Sequence, residues 1–287
     1  MSARRPMEVI TTIEALRSRL AQERQAGKQI GLVPTMGYLH AGHLSLIRKA
    51  REECDCVVMS LFVNPLQFGE NEDFDRYPRD FERDRTMAEE AGVDLLFYPS
   101  VEEMYPRRIL TTVHVAGLTE RLCGRSRPGH FDGVATVVSK LFHIVCPDRA
   151  YFGQKDAQQL AVIERMVEDL NIPVKVVGCP IIREPDGLAM SSRNVYLTPE
   201  ERKAAPTLYQ ALQEGERLIR GGERNPNVVL QTVRQQIERA KVFRLDYLEL
   251  LSYPDLEPLD AIGGKVILAV AAWLGRTRLI DNTIIEI

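Results

Sequence analysis

Val33-Pro34-Thr35-Met36-Gly37-Tyr38-Leu39-His40-Ala41-Gly42-His43-Leu44 joins a short apolar run, Ile30–Val33, to a helical pattern near His43–Glu53. An apolar run of strand length, a glycine-containing turn and then a 3.6-residue period mark a strand–turn–helix unit. Gly37 and Gly42 let the backbone pass close to a ligand. N–H groups at the helix start face anions, and two imidazoles three residues apart share one turn. These features suit a polyphosphate, although the same residues also fit a plain strand–turn–helix corner with two solvated histidines.

Similar units follow. Val57–Val63, Asp94–Tyr98, Ala150–Phe152 and Val174–Cys179 are apolar runs of strand length, separated by helical patterns near Asp80–Ala91, Gly133–Val145 and Asp156–Leu170. Parallel neighbours need helical crossovers, so the alternation predicts an α/β fold, a Rossmann-like doubly wound parallel sheet with ligands at the carboxyl ends of its strands. After Arg193 the pattern becomes helices at Pro199–Gly221 and Asn227–Ala240, then strand-like Leu245–Leu251, Lys265–Ala271 and Thr277–Asp281. That predicts a smaller C-terminal α+β domain with a mainly antiparallel sheet. Turn-prone Pro185-Asp186-Gly187 puts the joint near Ile181–Arg183, giving domains 1–181 and 182–287.

Composition narrows the class. The 287 residues, 45% of them hydrophobic, can build one large core or two unequal ones. With 37 basic and 40 acidic side chains the net charge is −3, so no general field draws in a nucleic acid. The five cysteines are odd in number, and Cys54-x-Cys56 lacks the spacing of a zinc or redox motif; reduced, mostly buried thiols are expected. The opening MSARRPMEVITT leads into amphipathic Ile13–Leu20, not into a signal-peptide core, and no stretch reaches the ~18 apolar residues of a membrane span. The expectation is a cytoplasmic protein with neither a nucleic-acid nor a membrane partner.

Two further segments carry polar chemistry. Phe152-Gly153-Gln154-Lys155-Asp156-Ala157-Gln158-Gln159 runs from a strand end into a helix, where Lys155 offers a point charge and Gly153 close approach. Asp156-x-x-Gln159 equally fits a helix capping box. In Gly187-Leu188-Ala189-Met190-Ser191-Ser192-Arg193-Asn194, one cation and two hydroxyls can hold phosphates, and an ordinary turn fits the same residues.

H-x-G-H after a first strand resembles the signature of the nucleotidylyltransferase and class I aminoacyl-tRNA synthetase superfamily. The 187–194 segment resembles that superfamily's mobile K-M-S-K-S loop, with Ala189 and Arg193 in place of the two lysines. Over essentially its whole length the chain resembles the pantothenate synthetase family. The motifs are P-T-M-G-x-L-H-x-G-H at 34–43, F-V-N-P-x-Q-F at 62–68, Y-P-R at 77–79, R-P-x-H-F-x-G-V at 127–134, F-G-Q-K-D-x-Q-Q at 152–159 and G-L-A-M-S-S-R-N at 187–194.

The resemblance implies an ATP-dependent ligase of coenzyme A biosynthesis that condenses pantoate with β-alanine through a pantoyl-adenylate, with Mg²⁺, as a homodimer. The first domain would bind ATP and pantoate, and the second would close over the active site. Met36, Gly37, Tyr38, Leu39, His40, Ala41, Gly42 and His43 would line the ATP site, with His43 the acid toward the leaving group. Gly153, Gln154, Lys155, Asp156, Ile182, Met190, Ser191, Ser192 and Arg193 would also bind ATP, Ile182 beside the adenine. His40, His43, Lys155 and Arg193 form the implied catalytic set. Gln67, Gln159, Asn64 and His130 would hold pantoate, Gln67 would also meet β-alanine, and Asp84 would join the magnesium shell.

Other residues are expected to be structural. His114 alternates like a strand side chain in Thr111–Val115, and His143 lies in the apolar helix Val137–Val145. The acidic run Glu70–Arg76 is a solvated loop by composition and, by resemblance, a flap over the active site. Three rivals share parts of the pattern: another H-x-G-H nucleotidylyltransferase of cofactor biosynthesis, a tRNA synthetase fragment, and a non-catalytic nucleotide-binding protein. The first does not need Gln67 and Gln159, the second lacks a basic appendage, and the third does not need the catalytic cations.

Overall fold

In the computed structural model, which describes residues 6–70 and 72–287, six strands run parallel: β1 (Glu8–Ile10), β2 (Ile30–Thr35), β3 (Cys56–Leu61), β4 (Leu95–Phe97), β5 (Arg149–Gly153) and β6 (Lys175–Cys179). Their order is β1-β4-β3-β2-β5-β6. Every residue of β3 is buried, the pattern of a parallel strand covered on both faces. Helices α1 (Ile13–Gln25), α2 (Ala41–Glu53), α3 (Phe81–Ala91), the short α4 (Val101–Met104) and α5 (Leu122–Ser126), α6 (His130–Val145) and α7 (Ala157–Asp169) fill the connections. α2 packs with α3 and α1 with α6. Right-handed crossovers place these two pairs on opposite faces.

Side-chain alternation decides what each face buries. Val57, Met59 and Leu61 of β3 point with Val33 and Leu96 toward Leu46, Ile47 and Ala50 of α2 and Ala88 of α3, forming one core. Thus α2, which carries the two motif histidines at its start, is seated by an apolar stripe one turn further on.

The described residues group into two compact units. One takes those of Met1–Val115, Arg127–Gln154 and Val162–Pro180, and the other takes Ala116–Ser126, Lys155–Ala161 and Ile181–Ile287. The second unit is therefore discontinuous in sequence. Its sheet is an antiparallel meander, β7 (Phe243–Ser252), β8 (Lys265–Leu274) and β9 (Thr277–Glu286), covered by helices α9 (Thr207–Arg220) and α10 (Pro226–Arg239), which follow α8 (Pro199–Ala204). Leu208, Leu212 and Ile219 of α9 and Val229, Val233 and Ile237 of α10 meet Val266, Leu268 and Val270 of β8 in its core. Gln158 ties the early segments into this unit: its amide donates to the carbonyls of Leu118 (2.8 Å) and Arg121 (2.7 Å) and accepts from the Cys123 N–H (2.9 Å).

Three local expectations change. β1 is too short to show a period, yet it pairs with β4 as an edge strand. Thr111–Val115 is not a strand; the Val113 N–H donates to Thr136 Oγ1 (2.9 Å), and exposed His114 meets Asp132 at 2.8 Å. The long helix expected over Pro199–Gly221 is two, because Pro206 has no N–H to continue the first. His143 is structural, its Nδ1 2.7 Å from the Ser139 carbonyl.

All five cysteines are unpaired and only Cys146 is exposed; burial pushes the Cys56 thiol up to about 12 and Cys179 up to about 11. Among the described residues no helix is long and apolar enough to cross a membrane.

Because Ile47 is fully buried beneath α2, Ile47→Ala should lower unfolding stability by about 2–5 kcal/mol, read from the shift of a urea unfolding midpoint.

Candidate active site

The strand order reverses between β2 and β5. These two pair only at Gly31↔Arg149 and Leu32↔Ala150, although β2 continues to Thr35 and β5 to Gly153. Their carboxyl ends therefore part, which is where an open parallel sheet accepts a ligand. β2 leads there into Met36–His43, and β5 ends there at Gly153, followed by Gln154.

His40 is the N-cap of α2 and His43 its third residue, and each uses Nδ1 to accept a backbone N–H. The Gly42 N–H donates to His40 Nδ1 (3.1 Å) and the His40 N–H to His43 Nδ1 (3.2 Å), a capping box built from two imidazoles. An Nδ1 that accepts carries no proton, so each neutral ring bears its proton on Nε2. The ring centroids are 4.0 Å apart. A Cβ at residue 42 would come within 2.8 Å of the His40 ring, so only glycine lets that ring fold back onto the helix start. Leu39 is fully buried in the core, and its N–H and carbonyl are engaged by Asp84 and Arg83; Met36, Tyr38, Ala41 and both histidines remain partly exposed.

Gln67 closes a single helical turn, Pro65–Gln67, capped by Asn64. Asn64 is 1% exposed, and its side chain is engaged on both sides. Nδ2 donates to Gln67 Oε1 (3.1 Å) and the Gly133 carbonyl (3.1 Å), while Oδ1 accepts from the Leu66 N–H (3.3 Å) and the Tyr105 hydroxyl (2.8 Å). Burial pushes the Tyr105 phenol upward, keeping it a donor. Asn64 thus supports Gln67 from behind, and Gln67 keeps its NH₂ as the donating edge.

At the start of α6, His130 Nδ1 lies 2.8 Å from the Gln67 carbonyl, and Nε2 lies 3.0 Å from Arg127 Nη1. A guanidinium can only donate, so Nε2 accepts and Nδ1 carries the proton. Arg127 also donates to the Gln67 carbonyl (3.2 Å) and forks onto Glu72 at 2.6 and 2.5 Å. Glu72 belongs to the acidic 70–76 run, of which Asn71 lies outside the described residues. Phe74 packs edge-on against Phe68 at 5.4 Å, so this run is held by named contacts at two points.

The second unit carries the remaining positions. Ile182 and Met190 face each other across a tight hairpin, with the Met190 N–H donating to the Ile182 carbonyl (3.0 Å). Ser191 then caps the turn Ser192–Tyr196, accepting the Arg193 N–H (3.2 Å). Arg183 anchors this hairpin by a two-pronged pair with Asp281 on β9 (2.6 and 2.9 Å) and lies over Tyr209 at 3.7 Å. The next residue, Asn282, donates to the Lys155 carbonyl (2.9 Å). Consecutive residues of β9 therefore hold two segments that are far apart in sequence. Lys155 and Gln159 are partly exposed in this unit and Asp156 is exposed.

Asp84 does not present an open carboxylate. It is 2% exposed, and its oxygens accept the N–H groups of Tyr38 (2.6 Å) and Leu39 (2.7 Å). Among the described residues no three His, Cys, Asp or Glu side chains gather as a metal site. A Mg²⁺ ion needs open oxygen ligands, so these residues do not fit a protein-built magnesium site.

The family model for pantoate-beta-alanine ligase matches residues 8–284. The chain belongs to the pantoate–β-alanine ligase family. Pantothenate synthetases of Moorella thermoacetica and Caldicellulosiruptor saccharolyticus are 59% and 56% identical to it, each over 98% of this chain and 99% and 100% of their own. The solved pantothenate synthetase of Thermus thermophilus superposes with a TM-score of 0.92 at 51% identity, covering 96% of this chain and 99% of that one. The Francisella tularensis pantoate-beta-alanine ligase, solved with beta-gamma ATP and beta-alanine, gives 0.80 at 34% identity, over 96% and 97%.

In this ligase family member, sequence reading passed over Arg127, Tyr105, Asp281 and Asn282, and it gave Glu72 only a place in the 70–76 run. Arg127 stood inside a quoted motif with no role, and the others are ordinary residues whose partners are distant in sequence. Glu72 is desolvated, which would raise its pKa, but the Arg127 guanidinium and its hydrogen bonds hold it below its ordinary value of 4.5. A carboxylate lowered in this way contributes stability above its unfolded pKa and loses that contribution as pH falls through the native value. The wild type should therefore melt above Glu72→Gln at pH 7, and differential scanning fluorimetry should show the gap closing as pH drops below 4.5.

Proposed function

We propose that this chain joins pantoate to β-alanine using ATP. The observation that carries the reading is the pair of imidazoles at the start of α2, locked by the backbone with their protons on Nε2, where β2 and β5 part.

A carboxylate and an amine at neutral pH form a salt by proton transfer, and no amide follows because oxide is a poor leaving group. In the proposed first step a pantoate carboxylate oxygen attacks the α-phosphorus of ATP, and the bond to the bridging oxygen breaks to release pyrophosphate. Charge grows on that oxygen and on the equatorial oxygens, where preoriented N–H donors act most strongly. His40 and His43 supply such donors, with His43 toward the departing pyrophosphate. We assign Lys155, Ser191, Ser192 and Arg193 to the phosphates, Ile182 and Met190 to the adenosine, and Gly153, Gln154 and Asp156 to ATP. In the second step the neutral amine of β-alanine attacks the acyl carbon, AMP leaves with the electron pair, and the amine proton passes to solvent or base.

Gln67 and Gln159 donate to pantoate without adding a cation that would compete for phosphate. Asn64 and His130 act behind Gln67 through its amide and its carbonyl. Since no protein-built magnesium site gathers among the described residues, a Mg²⁺ ion would be held chiefly by phosphate oxygens, and no step here passes through it. From the family resemblance we also carry over a cytoplasmic homodimer.

Pantoate and ATP alone should release pyrophosphate, and β-alanine added afterwards should release AMP, both measured by coupled assays. His43→Ala should slow the first release by about 10²–10³-fold; near-normal release in that variant removes His43 from the step. Gln67→Ala should raise the KM for pantoate several times more than that for ATP, and equal increases would count against its assignment.

A further inference from the structure

Immediately before His40 the backbone takes an unusual course. Gly37 has φ +86° and Tyr38 φ +50°, so two successive residues lie in the left-handed region, the second of them not a glycine. In this turn the successive N–H groups of Tyr38 and Leu39 face one side and make a concave site for an anion. The anion here is the protein's own Asp84, which takes the Tyr38 N–H on Oδ2 (2.6 Å) and the Leu39 N–H on Oδ1 (2.7 Å). The fit disfavours a side chain at position 37: a Cβ there would lie 3.0 Å from Asp84 Oδ2, besides the positive φ.

The neighbouring side chain completes a clamp. Arg83 donates to the Leu39 carbonyl (2.8 Å), sits 5.0 Å above the Tyr38 ring, and lies 3.5 Å from Asp84 Oδ1. Residues 83 and 84, in the first turn of α3, thus take both N–H groups and the carbonyl at 38–39, one peptide before His40. Asp84 is desolvated, which raises its carboxyl above the ordinary range, and the two backbone bonds and Arg83 pull it back. A buried charge of this kind is tolerable only while its partners stay in place.

We propose that Asp84 is a positioning residue and not a ligand of a divalent cation: its carboxylate fills the backbone cradle at Gly37–Leu39 and fixes where α2 begins, and with it the presentation of His40 and His43. The chain carries its own anion where a loop of this shape would otherwise take one from solution. The kinetic part of this inference rests on the ligase reading above; the structural part does not.

Asp84→Asn keeps the shape but turns an NH₂ toward one of the two N–H donors. Misplacing a reacting group by about 1 Å costs on the order of 10²-fold, so kcat for pantoate-dependent pyrophosphate release should fall roughly 10–100-fold. The KM for ATP and the Mg²⁺ concentration giving half-maximal rate should change less than about twofold, since the displaced imidazole donors act on charge that grows only in the transition state. In nitrogen–proton NMR spectra without nucleotide, the Tyr38 and Leu39 amide protons should lie downfield in the native protein and move upfield in the variant, as charge-assisted bonds are lost. A variant whose activity is restored by tenfold more Mg²⁺, or whose Tyr38 and Leu39 amides match the native ones, overturns the proposal. Should Asp84→Asn not fold, the native protein decides. Adding MgCl₂ to its complex with β,γ-methylene-ATP should leave the Asp84 carboxyl carbon resonance unmoved, and a clear shift there marks a metal ligand. If the wild type releases no pyrophosphate from pantoate and ATP, it is the ligase reading that fails, and the amide measurement still stands alone.

Discussion

A helix begins with N–H groups that its own ladder cannot satisfy, and at the start of α2 two of the nearby donors are met by imidazole nitrogens. The geometry of the site in the first unit depends on this. By accepting at Nδ1, each histidine surrenders the freedom to choose a tautomer. The core beneath Ile47 seats the helix, the clamp from α3 fixes the chain entering it, and the parting of β2 from β5 leaves room beyond its end. Packing, capping and sheet topology converge on the same few atoms.

What could be read from the sequence was what the chain encodes locally. The strand–glycine–histidine unit was legible because its partners lie within three residues of one another, and the parallel sheet was legible because its crossovers are helical and regular. β1 escaped notice because three residues show no period, and Thr111–Val115 misled because alternation without a pairing partner does not make a strand. The long helix drawn over Pro199–Gly221 overlooked what Pro206 must do to a backbone ladder.

The supporting contacts were not legible, for a different reason. Arg127 and Glu72 are separated by 55 residues, Tyr38 and Asp84 by 46, and Arg183 and Asp281 by 98. Each is an ordinary charged or polar residue whose role exists only once the fold has brought it to its partner. Asp84 illustrates the cost of reading type without place: a carboxylate near a triphosphate motif suggests a cation, whereas its surroundings give it two amide hydrogens.

The pair Asp281 and Asn282 has a consequence for how the chain matures. A polypeptide is made from its amino end, and the carbonyl that Asn282 grips belongs to a residue 127 positions earlier. The Lys155 turn and the 182–193 hairpin therefore emerge from the ribosome long before the strand that fastens them. Until β9 has been synthesised and added to its meander, those two segments lack their hydrogen bonds to it.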